Sequence, residues 1–91
     1  GPTDIYNLTT HPYDNLVKLN WQSDNTEEEA VVYMSVTNHY KDGGKDQWME
    51  LGRVKATSGQ FVVDLSRYPV SKFYKFVVKT PSTTLIRWLH K

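Results

Sequence analysis

The sequence predicts an all-β domain, a seven-stranded antiparallel β-sandwich, and three observations lead there. Apolar and polar residues alternate with period 2 along almost the whole chain, which places one side of each strand inward and the other toward water. Clusters of Gly, Pro, Asp, Asn and Ser fall between the alternating runs at the spacing of turns. No stretch holds a 3.6-residue apolar period, so no amphipathic helix is expected.

"DIYNLTT" is expected to open the chain as an edge strand. "LVKLNW" puts Val17, Leu19 and Trp21 on one face and Lys18 and Asn20 on the other. "AVVYMSV" sets Val32, Met34 and Val36 against Val31, Tyr33 and Ser35. "QWMELGRV" is shorter, and its Gly52 marks a bulge. "FVVDL" alternates Phe61, Val63 and Leu65 with Val62 and Asp64. "YKFVVK" alternates Tyr74, Phe76 and Val78 with Lys75, Val77 and Lys79. "LIRWLH" closes the chain, with Ile86 and Trp88 read as facing in and Leu85, Arg87 and Leu89 as facing out. "KDGGKD", "TSGQ" and "TPSTT" supply tight turns. "QSDNTEEE" is a polar loop, too short and too free of apolar residues to be a helix.

Ninety-one residues make one domain. The leading Gly1-Pro2 resembles the scar of a cleaved expression tag, so residues 3–91 are taken as the domain, and a longer parent protein is expected. Such a small domain has a small core, and three Trp, six Tyr and three Phe supply the bulk it needs. There is no Cys, which excludes a disulfide scaffold and thiolate metal sites. No apolar run approaches the ~20 residues of a membrane helix, so membrane insertion is not expected.

The net charge of +1 hides an asymmetry. Residues 1–50 carry net −6 and residues 51–91 net +7. Either the two halves pair across sheets or the basic half forms a partner surface. A heparin-like polyanion fits such a surface. Nucleic acid is not expected, because no aromatic-interleaved basic motif accompanies the charges.

Catalysis and metal binding find no support. His11, His39 and His90 lack ligand spacing, and neither a nucleophile elbow nor a phosphate loop is present. Asp24 with Glu27, Glu28 and Glu29 lacks the alternating oxygens and turn glycine of a calcium loop, and reads as a solvated acidic loop. No cofactor is expected. "NLT" at Asn7 is an N-glycosylation acceptor in a secreted protein.

The order of a proline near the start, "LNW", an apolar third strand, Trp48-x-x-Leu51-Gly52, "F-x-V-x-L" and "Y-x-F-x-V" resembles a fibronectin type III domain. The resemblance spans nearly the whole chain from Pro2. It implies an immunoglobulin-like sandwich in which Trp21 packs between the sheets and Tyr74 ties down the corner before its strand. Two features depart from the family. Tyr74 lies nine positions beyond Leu65, a longer corner than usual, and the last hairpin is short and lacks Gly-Ser character. The resemblance implies a non-catalytic adhesion, receptor or spacer module, extracellular or at the cell surface, whose partner is a protein or a neighbouring domain. The face expected to serve it holds Tyr33, Lys75, Val77, Lys79, Leu85, Arg87 and Leu89.

"FVVDLSRYPVSKFYKFVVK" followed by "IRW" also resembles the end of a starch- or glycogen-binding module, although "SVTNHYKDGG" stands where that family has "GSFNNW". This alternative implies that Trp48 or Trp88 is exposed to stack on sugar rings.

Overall fold

The computed structural model describes residues 4–37 and 47–91. The expected "KDGGKD" turn and His39 lie outside them. Seven strands follow in order: β1 (Ile5–Tyr13), β2 (Leu16–Ser23), β3 (Glu29–Thr37), β4 (Met49–Lys55), β5 (Gln60–Asp64), β6 (Phe73–Lys79) and β7 (Thr84–His90). They form two antiparallel sheets, β1-β2-β5 and β4-β3-β6-β7. The architecture is an all-β sandwich.

The alternation works as read for β2, β3, β5 and β6. Val17, Leu19 and Trp21 meet Val32, Met34, Tyr74, Phe76 and Val78 across the interface, all buried, and Val63 joins them from β5. Burying a side chain of this size stabilises by about 1.5–3 kcal/mol, so these residues dominate the fold.

Trp21 also organises the β4–β5 crossover between sheets. Its indole N–H donates to the Ala56 carbonyl at 2.9 Å, and its backbone N–H donates to Gly59 at 3.0 Å. Gly59 has φ +67, and a Cβ there would stand 3.0 Å from the Trp21 carbonyl, so glycine is needed twice over. The β5–β6 crossover is fixed by Tyr74. Its buried hydroxyl accepts the Ser71 N–H at 3.1 Å and lies 3.5 Å from the Pro69 carbonyl it donates to. A polar group that would be stranded inside is thereby satisfied.

The bulge falls where Gly52 was expected to mark it. Val32 pairs with Gly52 but Tyr33 with Glu50, leaving Leu51 as the extra residue. A Cβ on Gly52 would come within 2.9 Å of the Phe61 ring, so this glycine lets β5 pack against β4.

Two features of the first hairpin escaped the sequence reading. β1 runs on through Pro12 to Tyr13, and the two-residue connection Asp14-Asn15 leads to Leu16. Proline is compatible with β1 because it is an edge strand.

β7 is turned over relative to the sequence expectation. Leu89 is buried (7 % exposed) and Leu85 packs against the core, while Ile86 is 52 % exposed and Trp88 lies on the outer side. Arg87 is an inner-side residue opposite Phe76, exposed near the seam where β1 passes β7. Leu85, Arg87 and Leu89 therefore leave the expected outer face, and Ile86 and Trp88 join it.

Candidate functional site

The outer face of the four-stranded sheet is built in cross-strand rows. Tyr33, Val77 and Ile86 make the central row, with Glu50 beyond Tyr33. Val31, Lys79 and Thr84 make one flanking row, with Arg53 beyond Val31; Ser35, Lys75 and Trp88 make the other. Side chains directly opposite on antiparallel strands touch, so each row is a contact unit. Val77 shows this. It points to solvent by parity, yet Tyr33 and Ile86 on either side leave it only 7 % exposed.

Aromatic rings dominate one end of the face. The Lys75 ammonium sits 5.4 Å from the Trp48 ring centroid and 5.1 Å from that of Trp88, a cation held between two π faces. Phe73 meets Trp88 edge-on at 6.4 Å and stacks on His90 at 4.8 Å. Toward the middle, Tyr33, Trp48, Val77 and Ile86 line a shallow, mainly apolar groove bordered by Lys79 and Thr84. Trp48 is 41 % exposed. At the far edge Arg53 donates to Glu50 at 3.2 Å, and this contact raises the Arg53 pKa above its ordinary value.

The structure thus brings Tyr33, Lys75, Val77 and Lys79 together, as expected, and adds Trp48, Trp88, Ile86 and Phe73 to the same surface. The two surfaces weighed separately in the sequence, the basic-apolar patch and the exposed Trp pair, are one face. On the three-stranded sheet the exposed Tyr13, Leu16 and Val62 stand among Lys18, Gln22 and Gln60, a more polar setting.

The pole where β6 turns into β7 is held by Asp4. Its carboxylate accepts hydrogen bonds from Thr80 Oγ1, Ser82 Oγ (2.6 Å) and Asn25 Nδ2 (2.8 Å). Partial burial raises its pKa, but the bonds from Ser82, Thr80, Asn25 and Thr83 outweigh that and hold it at about 2. These bonds join the start of β1, the β2–β3 loop and the β6–β7 turn. The acidic loop itself is ordered locally, with Asn25 Oδ1 accepting the Glu27 and Glu28 N–H groups.

Asn7 is exposed on β1 with φ 59, and its amide donates to Gln22 Oε1 at 2.8 Å. Among the described residues, no group of three or more His, Cys, Asp or Glu side chains is placed to hold a metal ion, and no helix is long and apolar enough to cross a membrane. His11 meets the Thr9 hydroxyl and His90 stacks on Phe73.

Comparison with known protein families, curated proteins and solved structures found no match to this chain.

Proposed function

We propose that this chain is a fibronectin type III-like, immunoglobulin-like sandwich acting as a non-catalytic protein-recognition module, extracellular or at a cell surface. The fold reading is supported by the strand order β1-β2-β5 over β4-β3-β6-β7, by Trp21 between the sheets and by the Tyr74 hydroxyl at the preceding corner. The recognition reading rests on one observation. The outer face of the four-stranded sheet gathers Tyr33, Trp48, Ile86 and Trp88 with Lys75 and Lys79, where a sheet with no partner would be uniformly polar. Trp and Tyr are among the residue types enriched at binding hot spots. Asn7 is the proposed glycan acceptor. A glycosylated amide keeps one N–H, so its bond to Gln22 can survive.

The test is a screen of the immobilised domain against an array of secreted and receptor ectodomains, wild type beside Ile86→Ser/Lys79→Glu. The reading requires a binder whose affinity falls about tenfold or more in the double variant, with the melting temperature little changed. Absence of any binder, or one indifferent to both substitutions, contradicts it.

The shared face of Trp48 and Trp88 also favours a second reading, a carbohydrate-binding module of the starch or glycogen type. Titration with maltoheptaose decides it. Quenching of Trp fluorescence that is lost in Trp48→Ala supports sugar binding, and an unchanged spectrum removes it.

A further inference from the structure

We infer that Asn7 carries an N-linked glycan whose first sugars lie over the outer face of the three-stranded sheet, closing that face to partners and leaving them the four-stranded one. The inference rests on the extracellular recognition reading and adds to it opposite roles for the two faces.

The acceptor is built into the backbone of β1. Asn7-Leu8-Thr9 meets the N-x-T requirement, with Leu rather than Pro in the middle, and no other Asn in the sequence has Ser or Thr two positions on. Pairing runs from Tyr6 opposite Gln22 to Thr9 opposite Asn20, so Asn7 and Leu8 together oppose Trp21 as a bulge. Asn7 takes φ 59 there, the left-handed conformation usually given to glycine at the first position of such a bulge. Glycine would serve the backbone alone. Asparagine is tolerated in that conformation, and it brings an amide.

The bulge also decides where the amide points. Leu8 is buried in the core, and Asn7 is exposed. Asn7 Nδ2 donates to Gln22 Oε1 at 2.8 Å. Gln22 follows the inward-facing Trp21 and so points outward. The Asn7 amide therefore leans over the outer face of the three-stranded sheet.

The surface beside it suits a sugar. Tyr6 and Gln22 form the adjoining row, and Thr9, Asn20 and Gln60 form the next. None of these side chains is charged. They offer amides, hydroxyls and a phenol ring, groups that hydrogen-bond to sugars or pack against them. The exposed Tyr13 and Leu16 stand at the other end of the face, about 20 Å along the strands from Gln22. A glycan is bulky and well solvated, so a partner lying across this sheet would have to displace it. The four-stranded sheet, with Tyr33, Trp48 and Ile86, holds no acceptor and stays open.

Secretion of the domain from mammalian cells, followed by intact mass and hydroxyl-radical footprinting before and after treatment with peptide N-glycosidase, tests this. A glycan mass is expected that the enzyme removes, that Thr9→Ala and Asn7→Gly abolish, and that Thr9→Ser retains. In the glycosylated protein Tyr6 should lose oxidation relative to the treated protein, with Tyr33 and Trp48 unchanged. A binder found in the ectodomain screen should hold glycosylated wild type and Asn7→Gly with affinities within about twofold of each other. Should Asn7→Gly fail to fold, the enzyme-treated wild type takes its place. A secreted protein without the glycan, a glycan that leaves Tyr6 as reactive as before, or one that shields Tyr33 or Trp48 overturns the inference. Those results leave the recognition face standing, because Ile86→Ser/Lys79→Glu tests it separately. A binder that gains affinity when the glycan is removed also overturns the inference. A glycan that shields Tyr6, in a domain that finds no binder, would remove the recognition reading and keep the shielded face.

Discussion

β6 and β7 are neighbours in one hairpin, each seven residues long and mostly apolar, yet they do different work. β6 lies between two strands and is buried on both sides: Tyr74, Phe76 and Val78 enter the core, and Val77 is covered by Tyr33 and Ile86. β7 has one neighbour in its sheet, and of its seven residues only Leu89 is buried. Stability therefore concentrates in β6, while β7 keeps apolar side chains and backbone groups at the surface, where they cost little to change and can meet a partner. The difference teaches that apolar content alone does not identify a core strand. Position in the sheet decides.

Substitutions in the hairpin test this division, and the largest effect belongs to β6. Phe76→Ala removes a fully buried ring that touches both sheets and should cost about 3–5 kcal/mol in denaturant unfolding. A cost near 1 kcal/mol would mean that β6 is not the centre of the core. Tyr74→Phe keeps the ring and deletes only the hydroxyl that accepts the Ser71 N–H, so a loss of about 1–2 kcal/mol is expected in the same assay.

Asp4→Asn acts at the turn joining the two strands. The Asp4 pKa is about 2 in the fold and 3.8 ordinarily. Its contribution is thus fully present above pH ~4 and is lost as pH falls toward 2. Allowing for solvent screening, the variant should lose about 1 kcal/mol at neutral pH and show a shallower decline than wild type on acid titration. Parallel acid curves would contradict the role given to its hydrogen bonds. The smallest effect belongs to the outer side of β7, where Ile86→Ala should change stability by no more than about 0.5 kcal/mol.

The same hairpin shows what was legible in the sequence. β6 was read correctly because its inner positions are all large and apolar and two of its outer positions are Lys. β7 was not, because "LIRWLH" places two large apolar residues on each parity: Leu85 and Leu89, or Ile86 and Trp88. Alternation cannot choose between them. The deciding signal was the length of the turn. A two-residue connection through Pro81-Ser82 sets Thr80 opposite Thr83, hence Val78 opposite Leu85 and Tyr74 opposite Leu89. Once β6 is oriented, β7 has no freedom. The candidate face was legible where it lies on β3 and β6 and misread where it lies on β7. The meeting of Lys75 with Trp48 and Trp88 depends on pairing across three strand neighbours, which no local pattern carries. The Asp4 cluster joins residues from opposite ends of the chain and was invisible for the same reason.

Which side of β7 meets water decides the make-up of the candidate face. A soluble gadolinium chelate added to methyl-labelled protein measures this directly by relaxation enhancement. The structure predicts strong broadening of the Ile86 δ-methyl signal and weak broadening at Leu89. Strong broadening at Leu89 with a protected Ile86 would return β7 to the opposite orientation and remove the proposed recognition face.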